Sequence, residues 1–182
     1  LPQQPYKKRL LVTDAGMIQQ QLHLAIIEIL ETIQLDYVIY SSVQADPPEH
    51  IVLDAVQFAK NEKADIVLGF GGGSSLDVAK IIAILAHPQQ QQILSDLYGV
   101  NNAKPPRLPL FLVPTTAGTG SEVTPISIVT TGETTKTGIV SPVLFADVAI
   151  LDATFTQNLP AHITAATGID AMVHAIEAYT SK

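Results

Sequence analysis

The chain has 182 residues, 47% of them apolar, and a formal net charge of −7. That is enough apolar material for one packed α/β domain and the start of another, while the acidic balance, with no basic run against it, excludes a phosphate backbone as partner. Zero cysteines exclude disulfides and thiolate metal sites. No leader pattern is read at the N-terminus and runs such as 81–86 are too short for a bilayer, so the expectation is a cytoplasmic protein with neither nucleic acid nor membrane as partner.

In chain order, residues 7–14 predict a basic-flanked strand that ends at Asp14, with Gly16 marking the turn. Asp14, at the strand's end, is a candidate cofactor contact. From Met17 to Ile33, Ile18, Leu22, Ala25, Ile26, Ile29, Leu30 and Ile33 share one helical face, which predicts one continuous helix. Residues 37–40 form the next strand, and this strand–helix–strand opening implies a parallel sheet with a right-handed crossover. The stretch 41–48 is expected to be a loop, because two adjacent prolines interrupt regular structure, and 49–63 resumes a helix. Dinucleotide-binding folds often carry an acid at the end of the second strand for the adenosine ribose. Here Ser41 and Ser42 stand in that place, with Asp46 a few residues on. Their small side chains leave room for a 2′-phosphate; an ordinary solvated loop is the alternative.

Residues 64–80 organise the rest. Ile66, Val67 and Leu68 read as a strand buried on both faces; Gly71, Gly72 and Gly73 then remove every Cβ from the turn; Ser74 is the expected N-cap, and 75–86 carries apolar residues at helical spacing. A helix N-terminus behind a glycine turn gathers unpaired N–H donors and positive dipole, which suits a phosphate group. The spacing is neither G-x-G-x-x-G nor G-x-x-x-x-G-K-[ST], and a tight turn between packed elements is the plainer alternative.

A glutamine-rich connection over 87–93 and a loop over 101–109 lead to a short buried strand at 110–113. It runs into Pro114-Thr-Thr-Ala-Gly-Thr-Gly-Ser-Glu-Val-Thr-Pro125, where Thr115, Thr116 and Thr119 are candidate cofactor contacts, or members of a turn cluster with no ligand. Residues 126–130 and 137–140 flank a turn and predict a hairpin, with Lys136 at the turn exit, either within reach of a pyrophosphate or simply solvated. Residues 148–152 are the last predicted strand, and 161–180 an alanine-rich helix interrupted at Gly168. The boundary falls within 152–159, giving an α/β dinucleotide-binding domain over 1–155 and the beginning of an all-α domain over 156–182.

Asp170 and His174 are four apart on that helix, so both project from one face. A carboxylate and an imidazole suit iron(II) or zinc, although the same pair also occurs as a plain helix-surface hydrogen bond, and two ligands make an incomplete site. Glu177, one turn on, can orient the imidazole or form a surface pair. His23, His50, His87 and His162 have no neighbouring ligand at metal spacing and read as surface or capping residues.

The segments 71–80, 114–124 and 167–179, in that order, resemble the iron-containing (group III) alcohol dehydrogenases, and the resemblance runs over essentially the whole chain. It implies a Rossmann-like parallel-sheet nucleotide-binding domain followed by an all-α metal-binding domain, the dehydroquinate synthase-like architecture. It implies further that Gly71, Gly72, Gly73, Ser74 and Asp77 bind the cofactor pyrophosphate, that Thr115, Thr116 and Thr119 line the nicotinamide half, that Lys136 approaches the cofactor, and that Asp170 and His174 are the first metal ligands. Members that prefer NAD often carry an acid where Ser41 stands, so either NAD or NADP fits, with a tilt towards NADP. The implied reaction is hydride transfer between a small alcohol or aldehyde and the nicotinamide, assisted by Fe(II) or Zn acting as a Lewis acid. A homo-oligomer, a dimer, is the expected assembly. Two further histidine ligands of the family would lie beyond Lys182, so the chain alone is expected to hold metal poorly and not to turn over. The rivals are a glycerol dehydrogenase or dehydroquinate synthase-like zinc enzyme of the same architecture, and a non-catalytic nucleotide-binding module.

Overall fold

A computed structural model describes residues 8–181; Lys7 of the predicted first strand and Lys182 lie outside the described residues. In chain order the elements are β1 (Arg9–Asp14), α1 (Ala15–Gln19), α2 (Leu24–Thr32), β2 (Tyr37–Val43), α3 (Glu49–Asn61), β3 (Ile66–Gly71) and α4 (Gly73–Leu85). There follow α5 (Leu94–Leu97), β4 (Gly99–Val100), β5 (Leu110–Pro114), β6 (Ile126–Thr131), β7 (Thr135–Val140), β8 (Val148–Ala149) and α6 (Ala161–Thr180).

Five strands form one parallel sheet in the order β2-β1-β3-β5-β8, as the strand–helix–strand opening predicts. Successive side chains of a strand alternate between faces, and here both faces are covered. Leu10, Val12, Val67, Leu110 and Leu112 pack with α3 and α4, while Leu11, Phe70 and Val113 meet Met17, Ile26 and Leu30 of α1 and α2 on the other side. α4 is the centre of the larger layer. Leu76, Val78, Ala79 and every residue from Ile81 to Leu85 are buried, because the sheet, α3 and β6 surround the helix on several sides. A second, three-stranded sheet has the order β4-β7-β6 and pairs Ile126 with Val140 through to Thr131 with Thr135, the predicted hairpin. It is fastened to the β2–α3 loop where the Thr130 N–H donates to the Pro47 carbonyl at 2.9 Å.

Several local expectations are corrected. The predicted helix 17–33 is two helices. Gln21 adopts φ of 59° and the chain turns over before α2, burying His23, whose Nδ1 lies 3.2 Å from the Met17 carbonyl; this histidine stands at the N-cap position of α2, one of the two places expected for it, and not at the surface. Gly16 lies inside α1, which Asp14 caps. β2 continues through Ser41 and Ser42 to Val43, since parallel pairing with β1 persists to Asp14. Gly72, not Ser74, is the N-cap of α4; Ser74 is already in its first turn. Only Val148 and Ala149 of the predicted 148–152 strand pair with β5. α6 runs unbroken through Gly168, a cost of about 1 kcal/mol relative to alanine that one continuous helix absorbs. No helix among the described residues is long and apolar enough to cross a membrane.

Candidate functional site

The sheet order reverses between β1 and β3: β2 lies outside β1, whereas β5 and β8 extend beyond β3. At such a switch point the loops leaving neighbouring carboxyl ends diverge and open a crevice. Asp14 ends β1 and Gly71 ends β3. Gly71 has φ of +149°, and a Cβ there would lie 2.7 Å from Ser75 Oγ and 3.1 Å from Asp14 Oδ2, so the turn admits only glycine. The chain then enters α4 at Gly72, with no side-chain cap among the described residues, and Gly73 and Ser74 of that first turn, at the positive end of the helix, line the crevice.

Two cavities share Gly73 and Ser74. One, of about 340 Å³, is bounded by Asp14, Ala15, Gly16, Val43, Gln44, Ala45 and Gly72 to Ser75. The other, of about 580 Å³, is lined also by Asp77, Thr119, Ser121, Thr124 and Lys136 and reaches Asp170 and His174 of α6. The glycine turn thus lies between a compartment on the β1/β2 side and one that reaches α6.

Asp14 is committed to structure. Its Oδ1 accepts from the N–H groups of Gly16 at 2.8 Å and Met17 at 3.1 Å, and its Oδ2 accepts from Ser75 Oγ at 3.2 Å. Ser41 is half-buried on β2 and lines neither cavity; Gln44 and Ala45, three and four residues on, do so. Thr115 is fully buried behind the turn, its N–H donating to the Gly71 carbonyl at 2.9 Å and its Oγ1 without a hydrogen-bond partner among the described residues. Thr116 lies opposite Gly72. Thr119 packs so closely on Gly73 that a Cβ there would stand 3.0 Å from its Cγ2. Lys136 bonds Asp46 Oδ1 at 2.6 Å, both side chains more than half exposed.

Asp77 belongs to a network that sequence reasoning missed. Its Oδ1 accepts from Ser121 Oγ at 2.6 Å and its Oδ2 from the Ile128 N–H at 2.9 Å. The fully buried Lys80 ammonium lies 3.4 Å from Oδ1 and donates to Ser121 Oγ at 2.8 Å and to the Ile126 carbonyl at 2.6 Å. Burial pushes the Asp77 carboxyl above its ordinary pKa and the Lys80 ammonium below its own, each countered by the other's charge. A charged residue inside the apolar 76–85 run was the available signal, since a lysine is buried only when its donors are met.

Asp170 and His174 stand on one face of α6, with Oδ1 3.6 Å from Nε2 and both side chains about half exposed to the cleft. α6 is brought there by close backbone packing: a Cβ on Gly118 would overlap the Thr167 carbonyl and sit 2.8 Å from the Thr167 Cβ. Carboxylate oxygen and imidazole nitrogen suit iron(II) or zinc. Among the described residues no group of three or more metal-type side chains gathers, so two protein ligands are offered where catalytic ions use three. Glu177 does not line the cleft.

A family model described as iron-containing alcohol dehydrogenase matches residues 1–153. Long-chain-alcohol dehydrogenase 1 of Geobacillus thermodenitrificans is 47% identical over 144 residues, covering 79% of this chain and 36% of that protein. The crystal structure of a 1,3-propanediol oxidoreductase superposes with a TM-score of 0.88 at 36% identity, over 95% of this chain and 45% of that one. The sulfoacetaldehyde reductase of Bifidobacterium kashiwanohense, solved in complex with NAD+, superposes with a TM-score of 0.87 at 30% identity, over 97% and 46%. The chain spans less than half the length of these relatives.

Proposed function

The chain belongs to the iron-containing alcohol dehydrogenase family, and from that premise we propose that it forms the cofactor half of a metal-dependent oxidoreductase moving a hydride between a small alcohol or aldehyde and NAD or NADP. The observation that carries this reading is a pair of cavities meeting at Gly73 and Ser74, where a helix N-terminus without a side-chain cap follows the glycine turn, the larger of them lined by Thr119 and Thr124 and reaching the carboxylate–imidazole pair. The open N–H groups of Gly73 and Ser74 bind the diphosphate of the dinucleotide. The compartment lined by Gln44 and Ala45 takes the adenosine side of NAD or NADP. Thr119 and Thr124 line the wall on the way to α6, and Lys136, released from Asp46, adds positive charge at the rim. Asp170 and His174 would hold Fe(II) or Zn, with further ligands from outside the described residues, and residues 156–182 would open an all-α domain. When bound, the nicotinamide supplies a hydride acceptor and the cation the Lewis acidity that lowers the pKa of an alcohol hydroxyl. The chain's own residues place the two reactants together and exclude water.

Titrating the intact protein with NADH and NADPH and measuring bound metal tests the reading. Binding of at least one nicotinamide is expected, together with loss of most bound metal in His174→Ala with nicotinamide affinity kept. Absence of binding to either nucleotide overturns it, and so does metal content unaffected by both Asp170→Ala and His174→Ala.

A further inference from the structure

Lys80 takes no part in the reading above, yet it is the most heavily buried cation among the described residues, with no exposure at all. An ammonium has three donors and no acceptor, and each donor here meets a different partner: the Ile126 carbonyl where β6 begins, the Ser121 hydroxyl in the 3-10 turn Ser121–Val123 that ends the threonine segment, and the Asp77 carboxylate one turn back on α4. The hydroxyl of Ser121 passes its own proton towards Asp77 Oδ1 at 2.6 Å, closing a ring. Ser121 in turn donates its N–H to Thr119 Oγ1 at 3.3 Å, and Thr119 is the residue packed on Gly73. A line of direct contacts therefore runs from Lys80 through Ser121 and Thr119 to the glycine turn. Every member of that line except Lys80 lines the larger cavity; Lys80 lies one layer beneath its floor.

We infer that Lys80 is a positioning residue of the cofactor cleft: through Ser121 it holds the threonine segment against the glycine turn, and so sets the nicotinamide side of the cleft without touching the ligand. The inference rests on the dinucleotide reading above. The adenosine side depends on Asp14, Gln44, Ala45 and the glycine turn, to which Lys80 makes no bond, so its loss separates the two halves of the ligand. A residue that merely stabilised the fold would weaken both halves alike.

The test measures, by calorimetry on the intact protein, the affinity for the tighter-binding reduced nicotinamide dinucleotide and for ADP-ribose, or its 2′-phosphate where NADPH binds tighter. In Lys80→Met the dinucleotide is expected to bind about tenfold more weakly, the scale of one lost hydrogen bond from a buried charge, with ADP-ribose binding unchanged. Lys80→Arg, which keeps the charge and several donors, recovers part of the loss. In the Ser121→Ala background Lys80→Met has little further effect, because the connection is already cut. Equal weakening of both ligands, no weakening of either, or a full additional loss in the Ser121→Ala background overturns the inference. Should Lys80→Met not fold, Ser121→Ala and Lys80→Arg decide it on the same two ligands: selective loss of dinucleotide affinity supports it and parallel loss refutes it. A wild-type protein that binds ADP-ribose and dinucleotide but shows none of these selective losses refutes only this inference; one that binds neither removes the dinucleotide reading as well.

Discussion

The two ends of the parallel sheet each carry a carboxylate–cation pair, and they are put to opposite use. Ahead of β5 and β8, Arg107 engages Asp147 through both ends of its fork, Nη1 to Oδ2 at 2.7 Å and Nη2 to Oδ1 at 2.8 Å, while its remaining donors reach the carbonyls of Val143, Phe145 and Leu108. Asp147 Oδ2 also accepts from the Leu110 N–H at 2.8 Å, so the cluster stitches an edge strand to its neighbour and every guanidinium donor is occupied. At the carboxyl ends, Asp77 and Lys80 are saturated too, but their ring sits beneath a surface where the first turn of α4 keeps its donors open. Satisfied polar groups at one end close the fold. At the other they lie beneath a helix N-terminus without a side-chain cap, the feature that the proposed diphosphate binding uses.

The largest effect separating the two ends is expected at Gly71. In Gly71→Ala the new methyl enters the space of Ser75 Oγ at 2.7 Å on a backbone of φ +149°. A stability loss of about 2–3 kcal/mol follows from the forced conformation, with dinucleotide affinity lower by about tenfold or more. Urea unfolding and nucleotide titration read the two effects; wild-type values for both would mean that the turn is not the organising feature. Next in size is Arg107→Lys, which keeps the charge but loses the planar fork. Its midpoint should fall by the equivalent of about 1–2 kcal/mol, while nucleotide affinity stays within error of the wild type. Weakened nucleotide binding in this variant would break the distinction between the ends.

How far each end was legible follows from the range of the interactions that build it. The strand, three glycines and helix at 66–85 are consecutive, so local rules placed them in order and only the cap moved, from Ser74 to Gly72. Asp170 and His174 were paired by helical spacing alone, and the cleft does hold both. Ser41 was placed by analogy with the end of a second strand, but β2 runs two residues further and carries Gln44 and Ala45 to the cavity in its stead. Lys80 bonds Ser121 and Ile126, more than 40 residues away in sequence, and such partners leave no periodic trace. The same holds for Arg107 and Asp147, and for the contact of Gly118 with Thr167 that delivers α6 to the cleft.

The smallest expected effect is on the pH dependence of stability, and its sign differs between the ends. The Arg107 hydrogen bonds hold the Asp147 carboxyl below its ordinary pKa. The folded state thus favours the ionised form: the contribution is fully present above the unfolded value of about 3.9 and is lost as pH falls through the lower folded value. With the Asp147 side chain 46% exposed, solvent screening keeps this below about 1 kcal/mol. Burial shifts Asp77 the other way. Its folded value lies above the unfolded one, so the fold favours the protonated carboxyl, and its contribution is present below the unfolded value and lost as pH rises through the folded one. Urea midpoints of wild type, Asp147→Asn and Asp77→Asn between pH 6 and pH 3 resolve the two: Asp147→Asn should flatten the acid loss and Asp77→Asn should steepen it. Slopes that change in the same direction would mean that the Asp77–Lys80 ring behaves as a second clasp, with its charges stabilising the fold as those of Arg107 and Asp147 do.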